Sequence, residues 1–337
     1  VSSAASDVYK RQIHNVPQIL NEAYNLNDTL AHEAAAPSFI LNGATDITAT
    51  GVGNAAAAQT VMNASNIGNT VIAHVTDNAA NAAGLDYSTG NDTITLLEVT
   101  GTASVLQAGN WVGNVHVSGS TYSLNDSLGN EAGAGPGILD GATNITATGS
   151  GDAAQAQTVM SATNTGTTLI AEVVDNAANA AGLVYGANDT ITSLIVNSAA
   201  TLAQANTWFG NSHVTGSTYF IEDWYANIEA VAGSAILAHA TSPAPGTPAV
   251  QADGDNFANA IDMSLQTVSV YVNALGGDDT IIGSTLAADT VNAGIGADAT
   301  TLNVDTYSDT IVQNFGDSVF ATTVTAGGGT FGNGDIF

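Results

Sequence analysis

Short runs of alternating apolar and polar residues recur along the first two thirds of the chain, and each precedes an alanine-rich segment. The runs at 46–51, 96–101, 144–149 and 193–198 are rich in Thr, Val and Ile, which favour β-strands. The segments that follow them, such as 54–65, are rich in alanine, the strongest helix former. This pattern predicts a unit of about 24 residues that holds one strand and one short helix.

The units are copies of one another. Residues 75–85 read VTDNAANAAGL, and residues 173–183, which lie 98 positions further on, read VVDNAANAAGL. One strand and one short helix cannot bury their apolar faces alone, whereas stacked copies can. The sequence therefore predicts a repeat protein of the α/β solenoid class, with parallel strands, over residues 13–238.

An aspartate marks every half of this long repeat. The recurring positions are Asp28, Asp77, Asp126, Asp175 and Asp223. Each precedes a predicted helix, so we expect its carboxylate to cap the free amides of that helix. The positions recur on every second coil, roughly 10 Å apart, which is too far for one metal ion to bridge. A row of calcium sites along these positions is the alternative.

The repeat pattern stops near residue 239. Residues 239–256 hold three of the six prolines and are predicted to form a linker. Residues 257–337 are rich in Gly, Asp and β-branched residues, which indicates a β-rich region. At the other end, residues 1–12 share no pattern with the rest. They resemble a translated sequencing adapter, and we interpret them as an artefact or a disordered tail.

Residues 270–315 contain recurring Gly-Asp units, such as GGDDT at 276–280 and GADAT at 296–300. These units resemble degenerate nonapeptides of the repeats-in-toxin (RTX) family, G-G-x-G-x-D-x-apolar-x. The resemblance implies a parallel β-roll whose turns bind calcium through glycine carbonyls and aspartate oxygens. A calcium-free roll or plain β-turns are the alternatives. The positions that match the family's metal ligands are Gly276, Gly277, Asp279, Gly294, Gly296 and Asp298, with Asp289 in a unit that has lost its glycines.

The resemblance also extends to cellular location. The last residues, GNGDIF, are similar to the ends of RTX proteins exported by type I secretion, and the Ala- and Asn-rich repeats resemble those of large bacterial S-layer and adhesin proteins. This implies an extracellular or cell-surface location and a C-terminal secretion signal.

The charge balance excludes several partners. The chain has 30 acidic residues and 2 basic ones, Lys10 and Arg11, and a net charge of −28. Such a chain cannot neutralise phosphates, so nucleic acid is excluded as a partner, and cations are needed to offset its charge. There is no cysteine, hence no disulfide. The longest apolar runs are too short for a transmembrane helix.

The chemistry of known enzymes is also missing from the sequence. It contains no H-E-x-x-H, no G-x-S-x-G and no glycine-rich nucleotide loop. His116 and His213, like Trp111 and Trp208, occupy equivalent repeat positions, which indicates a structural role. We therefore expect no enzyme, but an extracellular structural protein that assembles with itself and with calcium.

Two alternatives remain open at this stage. The first is a solenoid surface that binds ice or carbohydrate, such as a cell-surface polysaccharide, through recurring threonines or the two tryptophans. The second is a non-catalytic accessory part of a polysaccharide-modifying enzyme.

Overall fold

The computed structural model describes residues 23–87, 91–231, 233–242, 247–284, 289–296, 298–301 and 310–313. The predicted artefact at 1–12 and the predicted secretion signal at the chain end lie outside these residues. The chain divides into two compact units, residues 1–147 with 162–167 and residues 148–161 with 168–337. No helix among the described residues is long and apolar enough to cross a membrane.

The described chain alternates between strands and short helices up to Ala238, and only strands follow. The strands are β1 Leu26–Thr29, β2 Ile47–Gly53, β3 Asn69–Asn78, β4 Asn91–Ala103, β5 Ser120–Ser127, β6 Ile145–Gly151, β7 Thr168–Asp175, β8 Asp189–Ala200, β9 Ser217–Trp224, β10 Val250–Asp253, β11 Ala260–Asp262, β12 Val270–Asn273, β13 Thr280–Ile282, β14 Thr290–Gly294, β15 Ala299–Thr301 and β16 Thr310–Gln313. The helices are α1 Leu30–Ala35, α2 Ser38–Gly43, α3 Ala55–Met62, α4 Ala79–Ala83, α5 Val105–Ala108, α6 Leu128–Ala132, α7 Pro136–Asp140, α8 Ala153–Met160, α9 Ala177–Ala181, α10 Leu202–Trp208, α11 Tyr225–Ala230 and α12 Ala235–Ala238.

In the first unit each strand pairs in parallel with the next strand along the chain. β1 pairs with β2, β2 with β3, β3 with β4 and β4 with β5. Leu26 lies opposite Ile47 and Ile47 opposite Thr70, so each coil is slightly shorter than the unit that the sequence predicts. Since parallel strands need a crossover between them, the helices fill the return path. The predicted α/β solenoid with parallel strands is confirmed.

The second unit has two kinds of coil. β7, β8 and β9 continue the strand–helix pattern with parallel pairing, in which Thr168 lies opposite Asp189. From residue 250 onward the described chain has strands without helices, and its coils are shorter, with Val250 opposite Val270 and Tyr271 opposite Thr290. Here β10, β12, β14 and β16 pair in one sheet, while β11, β13 and β15 form a second. We call residues 250–313 the roll and the strand–helix coils before it the helical coils.

The core lies between the inward strand positions and the inner faces of the helices. Ile72 and Val75 on β3 are fully buried, and so is Ala58 on α3, which packs against that strand. Alanine at the inner helix positions lets the helix approach the sheet closely, and Ala156 repeats this on α8. The apolar alternation in the sequence thus marks the strand residues that face the core.

Two details differ from the expectations. The predicted linker, residues 239–256, contains β10, which pairs with β9 on one side and β12 on the other, because its Val250 and Ala252 are buried in the core. Three extra short helices, α2, α7 and α12, also follow the helices of their coils, and the sequence pattern did not predict them.

Candidate functional site

The recurring aspartates of the helical coils join neighbouring coils. Asp175 ends β7, and its Oδ2 accepts the backbone N–H of Ala153 at 3.0 Å, the first residue of a helix one coil earlier. Its Oδ1 accepts the backbone N–H of Asn176 at 2.7 Å and the side-chain amide of Asn179 at 3.0 Å. One carboxylate therefore satisfies donors on two successive coils.

The same arrangement recurs at the other half-repeats. We call Asp77, Asp126, Asp175 and Asp223 the bridging aspartates. The Oδ2 atoms of the other three accept the N–H groups of Ala55, Val105 and Leu202 at 2.8 to 3.0 Å. The prediction that these residues cap their own helices is wrong. The cap of each following helix is the next residue where a cap bond exists, as with Asn176, whose Oδ1 accepts the N–H of Asn179.

Hydrogen bonding lowers the pKa of three of these carboxylates, those of Asp77, Asp126 and Asp175. Burial raises the pKa of Asp175, but hydrogen bonds from Ala153, Asn176 and Asn179 outweigh this effect and lower the pKa overall. The pKa values of Asp77 and Asp126 are lowered by the same balance. Backbone amides at helix starts therefore supply the positive potential that Lys and Arg provide in ordinary proteins.

The roll repeats this bridge without helices. Asp279 is 1 % exposed, and its Oδ1 accepts the backbone N–H of Asn259, one coil earlier, at 2.8 Å. Asp298 is 2 % exposed and accepts the N–H of Asp279 at 3.0 Å in the same way. Asn259, Asp279 and Asp298 thus form a column across three coils. Asn259 was not among the predicted residues, although its spacing of one coil length from Asp279 is the signal that locates it.

Glycines form a second column beside the aspartates. A Cβ atom on Gly296 would lie 1.5 Å from the carbonyl oxygen of Gly277, and one on Gly277 would lie 2.4 Å from the backbone of Phe257. Leu275, at φ +68°, and Gly294, at φ +85°, occupy equivalent positions in two successive coils, and their backbones are in close contact. The predicted turn glycines are therefore brought together because the coils approach each other there through their backbones.

Asp279 differs from the bridging aspartates in its second oxygen. Its buried Oδ2 has no hydrogen-bond partner. Burial, followed by the charges of Asp298, Asp255 and Asp278, raises the pKa of Asp279 to about 6, against the hydrogen bond from Asn259. This oxygen is the feature of the described roll that best fits a cation, because an ion would supply the missing positive partner.

Asp289 lies apart from that column. Its Oδ1 accepts the backbone N–H of Val270 at 3.1 Å and the hydroxyl of Ser284 at 2.9 Å, and its Oδ2 accepts the N–H of Ser284. Both oxygens are thus engaged by protein donors, and Ser269 takes the same position one coil earlier with the N–H of Ala249. Asp289 is placed as a structural bridge.

The donor set for calcium at these turns is small. Among the described residues, no group of three or more His, Asp or Glu side chains converges as a metal site would. The predicted residues Gly276, Gly277, Gly294 and Gly296 can offer only backbone carbonyls. Calcium at the Asp279 turn therefore stays a prediction.

The repeated aromatic residues have structural contacts. His116 stacks on Tyr87 with ring centroids 5.8 Å apart, and its Nδ1 lies 2.7 Å from the carbonyl oxygen of Asp92. His213 makes the equivalent contacts in the next repeat. Trp111 and its repeat partner are 1 % exposed, so they pack inside the coils and cannot form a surface platform for sugar rings.

No protein-family model, curated protein or solved structure matches the chain.

Proposed function

We propose that this chain is a structural protein of the bacterial cell surface, an S-layer, adhesin or matrix-filament component that is secreted and assembles with itself in the presence of calcium. The proposal rests on one observation: the recurring polar and aromatic side chains hydrogen-bond to the backbone and so hold the coils together. Asp175 bonds to Ala153 and His116 to Asp92, each in the preceding coil. Tyr122 donates its hydroxyl to the carbonyl oxygen of Ile138, later in its own coil. A stack built in this way supports a mechanical role rather than a reaction.

The charge of the chain supports the role of a cation. Copies that each carry a net charge of −28 repel one another unless counterions lie between them. Calcium prefers carboxylate and carbonyl oxygens, and the turn at Asp279 offers both. We propose this turn as the first calcium site, with Gly276, Gly277 and Gly296 supplying carbonyls.

The alternatives have less support. Thr48 lies between Asn27 and Val71 in the register of the sheet, so the recurring threonines do not form an unbroken outward row of the kind that would favour ice binding. The repeated tryptophans are buried, which removes the basis for carbohydrate binding through them. The accessory-enzyme alternative has no contact among the described residues that favours it.

The test is negative-stain electron microscopy of the purified chain with millimolar calcium and with chelator. We expect ordered sheets or filaments in calcium only. Assembly in both conditions would keep the structural role and discard calcium. Isolated particles in both conditions would overturn the proposed self-assembly. An Asp279→Asn variant is the matched sample, and it should assemble less than the parent chain in calcium.

A further inference from the structure

Glu131 is a carboxyl group in an apolar position. The residue five places after each recurring aspartate is buried in all five cases. The five are Glu33, Ala82, Glu131, Ala180 and Ile228. Three of the five coils therefore fill this position with an apolar side chain, and Ile228 shows that a large one fits in the equivalent place.

The contacts of Glu131 link it to the junction between two coils. It is 0 % exposed, its Oε1 accepts the backbone N–H of Asp126 at 3.2 Å, and its Oε2 is buried without a hydrogen-bond partner. Asp126 is the bridging aspartate whose Oδ2 accepts the N–H of Val105, the first residue of α5 one coil earlier. Glu131, Asp126 and Val105 thus form one chain of contacts across the junction.

We propose that Glu131 makes this junction proton-dependent: the two coils hold together while Glu131 carries its proton and separate more readily when it ionises. An ionised Glu131 would place a buried negative charge beside the half-buried Asp126, whose pKa is lowered, and would leave one carboxylate oxygen without a donor. The third repeat builds the same bridge at Asp223 with Ile228 behind it, so the bridge itself does not require the glutamate.

The charged surroundings of Glu131 are consistent with this proposal. Burial, and then the charge of Asp126, raise its pKa to about 7 against the hydrogen bond from the Asp126 amide. Asp126 lies on β5. Helix α5 contains no titratable side chain, and Asp140 at the end of α7 acts on Tyr122. Because the folded pKa lies above the ordinary value of 4.5, the stabilisation is fully present below pH 4.5 and is lost as the pH rises through about 7.

The test is amide hydrogen exchange at Val105–Ala108 and Leu128–Ala132 between pH 5 and pH 9, corrected for the intrinsic rate at each pH. We expect protection in the parent chain to fall at least tenfold across this range. In Glu131→Gln, which keeps the shape and cannot ionise, protection should stay constant. Glu222→Gln, at an exposed glutamate, is the control and should behave like the parent chain.

Equal protection of the parent chain at every pH would overturn the proposal without any variant. So would a parallel fall of protection in the parent chain and in Glu131→Gln. Glu131→Ile, which copies the third repeat, gives an independent check, and its protection should also be independent of pH. The coils around Tyr219 serve as an internal reference, because their equivalent position is Ile228.

Discussion

In both the helical coils and the roll, an aspartate accepts a hydrogen bond from the backbone of the preceding coil. The two environments shift the pKa of this aspartate in opposite directions. Asp175 has donors for both oxygens, including the side chain of Asn179, and its pKa is lowered. Asp279 is buried, has acidic neighbours and has a donor for one oxygen only, and its pKa is raised to about 6. The bridge is common to both, so the difference in pKa comes from the burial of Asp279, its acidic neighbours and the donor that its second oxygen lacks.

Coil length explains why the roll lacks that second donor. In the helical coils a helix begins two residues after the aspartate, so an asparagine four residues after the aspartate can reach its Oδ1. In the roll the coil is shorter, and β13 begins directly after Asp279 in place of a helix. Asp279 then lies between the backbones of two neighbouring coils, and a cation is a candidate partner for its Oδ2.

Close backbone contact in the roll gives the largest expected effect. Gly296→Ala would place a methyl group 1.5 Å from the carbonyl oxygen of Gly277, so the two coils must separate. We expect a loss of about 3 kcal/mol in the free energy of unfolding, measured by chemical denaturation of the full chain. Gly135→Ala is the control, since nothing lies within 4 Å of its added Cβ and the change should be nearly neutral. An equal effect of both variants would contradict the proposed backbone contact.

Loss of a bridging aspartate should have the second largest effect on the free energy of unfolding. Asp175→Ala removes the acceptor for Ala153, Asn176 and Asn179 and should cost about 2 to 3 kcal/mol at pH 7. Because its folded pKa is lowered, this stabilisation is present above the ordinary value of 3.8 and is lost as the pH falls through the folded pKa. Denaturation midpoints from pH 7 to pH 2 should therefore converge for the parent chain and the variant. A constant difference down to pH 2 would mean that the carboxylate charge is not what stabilises the bridge.

Much of this architecture could be predicted from the sequence, because each coil repeats a local signal. The alternation at 144–149 and the alanine-rich segment after it give β6 and α8 almost to the residue. Cross-coil contacts could not be predicted in this way. The bridge from Asp175 to Ala153 depends on register, and a register is not visible in a single coil. The parallel strands of the roll were expected only through the resemblance of its Gly-Asp units, because strands as short as β11 and β12 do not show a period.

Asp279 should behave in the opposite way to Asp175. With chelator present, Asp279→Asn should be more stable than the parent chain by about 1 to 2 kcal/mol at pH 8 and equal to it at pH 4. The sign follows from the raised pKa, because the fold favours the protonated carboxyl and this contribution is lost as the pH rises through about 6. Thermal unfolding at both pH values is the measurement. Added calcium should reverse the order at pH 8 if the ion binds this oxygen, whereas an order unchanged by calcium would remove Asp279 as a calcium ligand.

The smallest expected effect on stability comes from removing the second donor of Asp175, the side chain of Asn179. Asn179→Ala leaves the bridge from Asp175 to Ala153 intact and removes only the side-chain amide at Oδ1. We expect the free energy of unfolding to fall by about 0.5 to 1 kcal/mol. The pKa of Asp175 should rise toward that of an ordinary aspartate, and carboxyl ¹³C NMR is the measurement. Asn188→Ala, at an exposed asparagine, should leave that pKa unchanged. If the pKa of Asp175 does not move in Asn179→Ala, the backbone amides and the Asn176 side chain suffice to keep it ionised. The contrast with Asp279 must then come from the burial and the acidic neighbours of Asp279.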